Sequence, residues 1–227
     1  MKKLYILILL FPFLLTPALA QKKKRSKELK NKVSVAPFFA IPNGKLALNY
    51  NGSVGFQAGF FHTFTKKKSR FAPTVGAMLN YTRLQSKGDT LHFPVTDING
   101  DPAIGSSYYT PFTMIQVKIS GGMRFTLLDN LYLTPGAELG YVIGKRDSYI
   151  NDGYSDSSDS EIKTWLLLAP KVNIEYKVSK HFSVEPFVAY NLIIQAGSTD
   201  TNSTDYNPDT GKTYSYLTPG VSLNFLF

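Results

Sequence analysis

From Val33 to Phe227 the chain alternates, run after run, between apolar side chains and small or polar ones. The last run shows it best. Leu217, Pro219, Val221, Leu223, Phe225 and Phe227 fall on one face, and Tyr216, Thr218, Gly220, Ser222, Asn224 and Leu226 on the other. A period of two is the mark of a β-strand with two unlike faces. Such runs recur at 33–41, 54–63, 71–81, 115–125, 131–143, 165–176, 182–195 and 216–227, which makes eight strands. The first run is the weakest, because Ala36, Phe38 and Ala40 break the polarity of its second face.

The connectors alternate in length. Segments 65–70, 128–130 and 179–181 are short, whereas 42–51, 85–110, 145–163 and 196–212 are longer and carry many Gly, Ser, Asp and Asn residues. Short turns on one rim and long loops on the other describe an all-β, eight-stranded, antiparallel up-and-down transmembrane β-barrel. In that scheme the termini and short turns face the periplasm and the four long loops face outward.

Polarity separates this reading from a soluble lipocalin-like carrier, which also has eight alternating strands but keeps its apolar groups inside. Here one face is aliphatic or aromatic in every strand. The other carries Lys118, Arg124, Glu138, Lys171, Glu175 and Glu185 among Gly, Ser, Thr and Asn. An eight-stranded lumen is only wide enough to be filled by side chains, and unpaired charges there cost several kcal/mol each. Three cations and three anions are therefore expected to form an electroneutral ion-pair network. A filled lumen also predicts that the barrel is not a general diffusion porin.

Aromatic placement agrees. Tyr81, Tyr141 and Tyr190 lie on the apolar face toward the long loops, and Phe71, Phe125, Tyr176, Phe182, Phe225 and Phe227 toward the short turns. Two girdles around an aliphatic band match the interfaces of a bilayer. Six prolines (37, 73, 135, 170, 186 and 219) also sit on the apolar face. Proline cannot donate to the ladder, so bulges are expected there.

The remaining segments fit export. Residues 1–20 read as a signal peptide, with Lys2 and Lys3, an apolar run from Leu4 to Leu15, and the small-x-small site Ala18-Leu19-Ala20. Residues 21–32 hold seven basic side chains and one acid, so much of the chain's formal charge of +9 belongs to this stretch. It reads as a solvated periplasmic tail preceding a barrel over 33–227, with attraction to anionic headgroups or to a periplasmic partner as the functional alternative. Nucleic acid is not an expected partner of an exported chain. The chain has no cysteine, so disulfides and Cys-based nucleophiles or metal sites are excluded.

The segment Thr134-Pro135-Gly136-Ala137-Glu138-Leu139-Gly140-Tyr141 and its echo Thr218-Pro219-Gly220-Val221-Ser222-Leu223-Asn224-Phe225 resemble the PorT-like outer-membrane β-barrel domains. The resemblance covers about Val33 to Phe227 and implies fold and location rather than activity. Phe225 and Phe227, with apolar residues at alternate positions before them, are similar to the C-terminal signal read by the barrel-assembly machinery. Expected partners are thus outer-membrane lipids, that machinery, and an unidentified protein.

Two constellations could carry chemistry. Some outer-membrane barrels modify lipid A acyl chains with His, Ser and an acid near the outer rim. His62 and His181 fall on the short-turn side, and His92 lies in a long loop with Ser86, Asp89 and Asp97, a composition ordinary for a polar loop. Asp147, Asp152, Asp156, Asp159 and Glu161 are dense in the third long loop, but their spacing is not that of an EF-hand. No catalytic residue, metal site or cofactor is assigned. The expected role is that of a non-enzymatic outer-membrane barrel serving structure, surface interaction or export, with the lipid A-modifying acyl hydrolase or transferase and the soluble carrier as alternatives.

Overall fold

The computed structural model describes residues 30–65, 70–88, 91–96, 102–151, 156–195 and 213–227. The expected signal peptide and nearly all of the basic tail lie outside them, as does the fourth long loop.

Eight strands close a barrel: β1 (Asn31–Asn43), β3 (Ser53–Thr63), β4 (Phe71–Ser86), β7 (Phe112–Leu128), β8 (Leu131–Asn151), β9 (Asp156–Lys177), β10 (Phe182–Gln195) and β11 (Thr213–Leu226). Three short strands, β2 (Tyr50–Asn51), β5 (Leu91–Thr96) and β6 (Pro102–Tyr109), and a single-turn helix α1 (Lys45–Asn49) decorate the long-loop side. Each barrel strand pairs antiparallel with its neighbour in sequence, and β1 pairs with β11 to close the ring.

The seam is regular despite the weak alternation of β1. Its register runs from Lys32↔Leu226 to Asn43↔Ser215. Beyond it, Asn31 N donates to Phe227 O at 3.1 Å and Phe227 N to Asn31 O at 2.9 Å. The inner face of β1 looks unlike a polar face because Ala36, Phe38 and Ala40 fill the lumen rather than line water. Phe38 fits because its neighbours across both pairings are glycines. A Cβ on Gly55 would stand 2.4 Å from the Phe38 ring, and one on Gly220 would stand 2.5 Å from the ring of Phe187. Large inner aromatics covering bare glycines on the next strand let a narrow barrel fill without strain.

The prolines do not produce bulges. Pairing continues in one register on both sides of them, as in Pro73↔Met123, Pro135↔Val172, Ala137↔Pro170, Pro186↔Val221 and Val188↔Pro219. The register shift recorded among the described barrel pairs falls instead at Thr126/Leu128, beside the β7–β8 turn. Pro73, Pro135 and Pro186 lie near the short-turn ends of β4, β8 and β10, whereas Pro37 and Pro219 lie near the middle of β1 and β11. Each gives up one ladder donor while the strand geometry is kept.

The outward face is apolar along the whole circumference, with Val35, Phe56, Leu79, Val117, Leu139, Leu168 and Leu223 all exposed. A soluble monomer rarely shows a contiguous apolar patch beyond a few hundred Å², and this one encircles the molecule. The soluble-carrier alternative is thereby overturned: charge lies inside and hydrocarbon outside. Closure satisfies the ladder without free edges at membrane depth. Tyr81, Tyr141, Phe71, Phe182, Phe225 and Phe227 are exposed at the two ends of this band, where interfacial aromatics belong.

Candidate functional site

The lumen has two chemically distinct halves. Toward the long loops it is an apolar plug in which Leu46, Tyr50, Leu84, Phe112, Met114, Val142, Trp165, Ile193 and Tyr216 are buried together. Helix α1 supplies Leu46 as a stopper, only 2% exposed. Phe112 packs edge-on against Trp165 with ring centroids 5.6 Å apart, and Tyr50 leans on Phe112 at 5.7 Å. At the lower edge of the plug Gln116 Nε2 donates to the Tyr216 hydroxyl at 2.5 Å.

Toward the short turns the lumen is polar and charged. Inward parity brings Lys118, Glu138 and Lys171 together from β7, β8 and β9. Lys118 Nζ lies 3.1 Å from Glu138 Oε2, and Lys171 Nζ lies 2.8 Å from Glu138 Oε1. Lys118 also donates to Asn191 Oδ1 at 3.1 Å, and Asn191 Nδ2 donates on to Thr218 Oγ1 at 3.0 Å. Arg124 Nη2 lies 3.4 Å from Glu175 Oε2, its guanidinium 3.6 Å from the Tyr132 ring centre. Ser183 Oγ donates to Glu175 Oε1 at 2.7 Å. Glu185 accepts from Asn173 Nδ2 at 2.7 Å and from Asn224 Nδ2 at 3.3 Å.

The ammonium that reaches Glu185 is Lys32. Although Lys32 closes the basic stretch 21–32 expected to be a solvated tail, it belongs to β1, is 8% exposed, and faces the lumen. Its even number, shared with Ser34, Ala36 and Phe38, is the signal that marks it as inward-facing. The density of lysines just before it masked that parity. Its inclusion changes the charge balance. Among the described residues the buried charged side chains are Lys32, Lys118, Arg124 and Lys171 against Glu138, Glu175 and Glu185, so the lumen is not electroneutral but carries one excess positive charge.

The other candidates are dispersed. Phe225 and Phe227 lie on the outer face at the seam, their rings 6.2 Å apart, with Phe182 5.4 Å from Phe225. His62 Nδ1 is 2.7 Å from Asn31 Oδ1, and His181 Nδ1 is 3.1 Å from Leu226 O, both at the short-turn rim. His92 is exposed on β5 and Ser86 ends β4; Asp89, Asp97 and Asp152 lie outside the described residues. Lys145 Nζ is 3.9 Å from Asp147 Oδ1, and no group of three metal-binding side chains occurs among the described residues.

The long-loop side holds a feature that alternation did not reveal. β7 leaves β8 after Thr113↔Lys145, and β10 leaves β9 after Gln195↔Trp165. β8 and β9 nevertheless remain paired out to Asn151↔Asp156. With 21 and 22 residues they are about twice as long as the 9–11 residues a spanning strand needs. β6 pairs with the outer part of β8, and β5 with β6. The result is a sheet ordered β5-β6-β8-β9 standing beyond the barrel wall. Tyr108 and Tyr149 stack on it at 4.7 Å, Ile104 is 73% exposed on the same face, and Ile162, 67% exposed, lies on that face opposite Lys145, where the sheet leaves the wall. β5, β6 and the outer parts of β8 and β9 fall within 85–110 and 145–163, whose composition predicts loops.

An apolar outer band, a closed ladder and a charged, filled lumen are the construction of an outer-membrane barrel. Neither a family model nor a curated protein matches the chain. Solved structures similar to it include the following three. Ail, the attachment invasion locus protein of Yersinia pestis, is 13% identical, with 88% of this chain and 100% of that one covered and a TM-score of 0.45. Neisserial surface protein A is 14% identical, with 87% and 97% covered and a TM-score of 0.44. The N-terminal β-barrel domain of Pseudomonas aeruginosa OprF is 13% identical, with 87% and 100% covered and a TM-score of 0.39. On its own strand pairing and exposure, independently of those likenesses, the chain is a small eight-stranded outer-membrane barrel.

Proposed function

We propose that this barrel is a non-enzymatic surface anchor that presents the β5-β6-β8-β9 sheet to a protein partner outside the cell. The observation that carries this reading is the extension of β8 and β9 past the wall, with Ile104, Tyr108, Tyr149 and Ile162 exposed on one face. Exposed apolar and aromatic groups on a sheet are the composition of a protein-binding surface, and among the described residues β5 stands last in the sheet, the position at which a strand can be added. The apolar plug supports an anchor over a pore, because water does not cross a mouth filled by Leu46, Phe112, Trp165 and Tyr216.

Membership of the PorT-like group is part of the proposal and rests on the motifs at Thr134–Tyr141 and Thr218–Phe225. These sit on the short-turn halves of β8 and β11 and form inward and outward faces of the same kind. Recognition of Phe225 and Phe227 by the assembly machinery is proposed on the same footing, from their outward position on the last strand.

Photo-crosslinking in intact cells tests the partner role. A photoreactive residue at Ile104 or Ile162 is expected to yield a discrete protein adduct, while the same residue at Leu139, on the lipid face, yields none. Absence of an adduct at the sheet, or adducts of equal yield at both places, contradicts the reading.

A further inference from the structure

The polar half of the lumen contains a small cavity, with room for a water-sized occupant, beside Lys171. Its charged lining is Lys32, Arg124, Lys171 and Glu175, and Ser120 and Thr134 line it too. Lys32 and Arg124 each have a carboxylate of their own, Glu185 and Glu175. Lys118 and Lys171 do not: both are paired to Glu138. The side chains of all three are at least 96% buried. Lys118 has its further donors taken by Asn191 and by the Asn80 amide oxygen once that amide is turned, at 3.1 Å each. Lys171 instead lies 4.5 Å from the Phe187 ring centre and borders the cavity.

One carboxylate shared by two buried ammoniums leaves a full positive charge in a region of low dielectric. A single uncompensated charge in such a place is strongly unfavourable. The ring of Phe187 offsets only a part of that through a cation–π contact. A water molecule in the cavity would solvate the charge without neutralising it.

We propose that this cavity holds one small inorganic anion, of chloride size, as the counterion of the Lys118–Glu138–Lys171 cluster, beside Lys171 and the polar side chains of Ser120 and Thr134 that line it. The barrel is then a polypeptide with a structural anion built into its lumen. Since the anion binds the folded state, folding stability rises with its concentration, by about tenfold in the folded-to-unfolded ratio at ten times its Kd.

The test is urea unfolding of the barrel in detergent micelles, followed by the fluorescence of Trp165, the single tryptophan. It is run in sodium chloride and in sodium isethionate at equal ionic strength, with sodium phosphate as a third arm. The expected result is a higher unfolding midpoint in chloride, saturating with concentration. Lys171→Met leaves Glu138 and Lys118 as a one-to-one pair, so the chloride response is lost; Lys118→Met does the same. Glu138→Gln adds to the excess charge and enlarges the response. Equal wild-type midpoints in chloride and isethionate overturn the proposal, as does a Lys171→Met response equal to the wild type's. Stabilisation by phosphate alone overturns the assignment to a chloride-sized anion.

Discussion

Glu138 bridges Lys118 and Lys171, one ammonium at 3.1 Å on Oε2 and the other at 2.8 Å on Oε1, and so ties β7, β8 and β9 together across the lumen. Removing the bridge leaves two buried cations without a carboxylate. Glu138→Gln is expected to destabilise the barrel by about 3–5 kcal/mol. Adding Lys118→Met recovers part of that loss, and a double-mutant cycle in urea measures the coupling. Strictly additive losses would count against the bridge.

Lys32 and Glu185 form the corresponding tie across the seam, from β1 to β10 over β11. Lys32→Met is expected to cost about 3–5 kcal/mol, since Glu185 stays buried without its cation. Replacing Lys30, two residues earlier and exposed, by Met is expected to change stability by no more than about 0.5 kcal/mol. The contrast separates a lumen residue from a tail residue.

The outer face makes an independent prediction. Leu139 is outward and 52% exposed at mid-barrel. Leu139→Arg is expected to cost about 2–4 kcal/mol when the barrel is folded into a bilayer. Ile104→Arg, beyond the wall, should leave bilayer folding nearly unchanged. Folding titrations in liposomes read both.

Conduction follows from the plug. In planar bilayers the wild type is expected to show no stable nanosiemens steps. Because Leu46 from α1 caps an aromatic cluster rather than closing the mouth alone, Leu46→Ala is expected to remain silent as well. Stable steps from the wild type would show that the plug is not closed.

Strand number, face polarity and ring order were legible because a two-faced strand in a membrane barrel must alternate at every turn of the pleat. The same rule located Lys118, Arg124, Glu138, Lys171, Glu175 and Glu185 on the inner face. It did not give the pairing of Glu138 with two lysines, which depends on the register between three strands. Lys32 was missed because local charge density outweighed parity. The prolines misled for another reason: removal of one donor is tolerated in a closed ladder whose two neighbouring strands fix the backbone. The outer sheet was hidden because Asp, Ser and Gly in 145–163 read as loop, while β8 and β9 stay paired through that segment.

The central claim is that odd-numbered residues of β11 face lipid and even-numbered ones face a filled lumen. The chain has no cysteine, so single cysteines can be placed one by one from Leu217 to Leu226, labelled with a fluorophore before folding into liposomes, and exposed to lipid-attached quenchers. Strong quenching at 217, 219, 221, 223 and 225 with weak quenching between them is the predicted result. Quenching without alternation, or with the opposite phase, would contradict it.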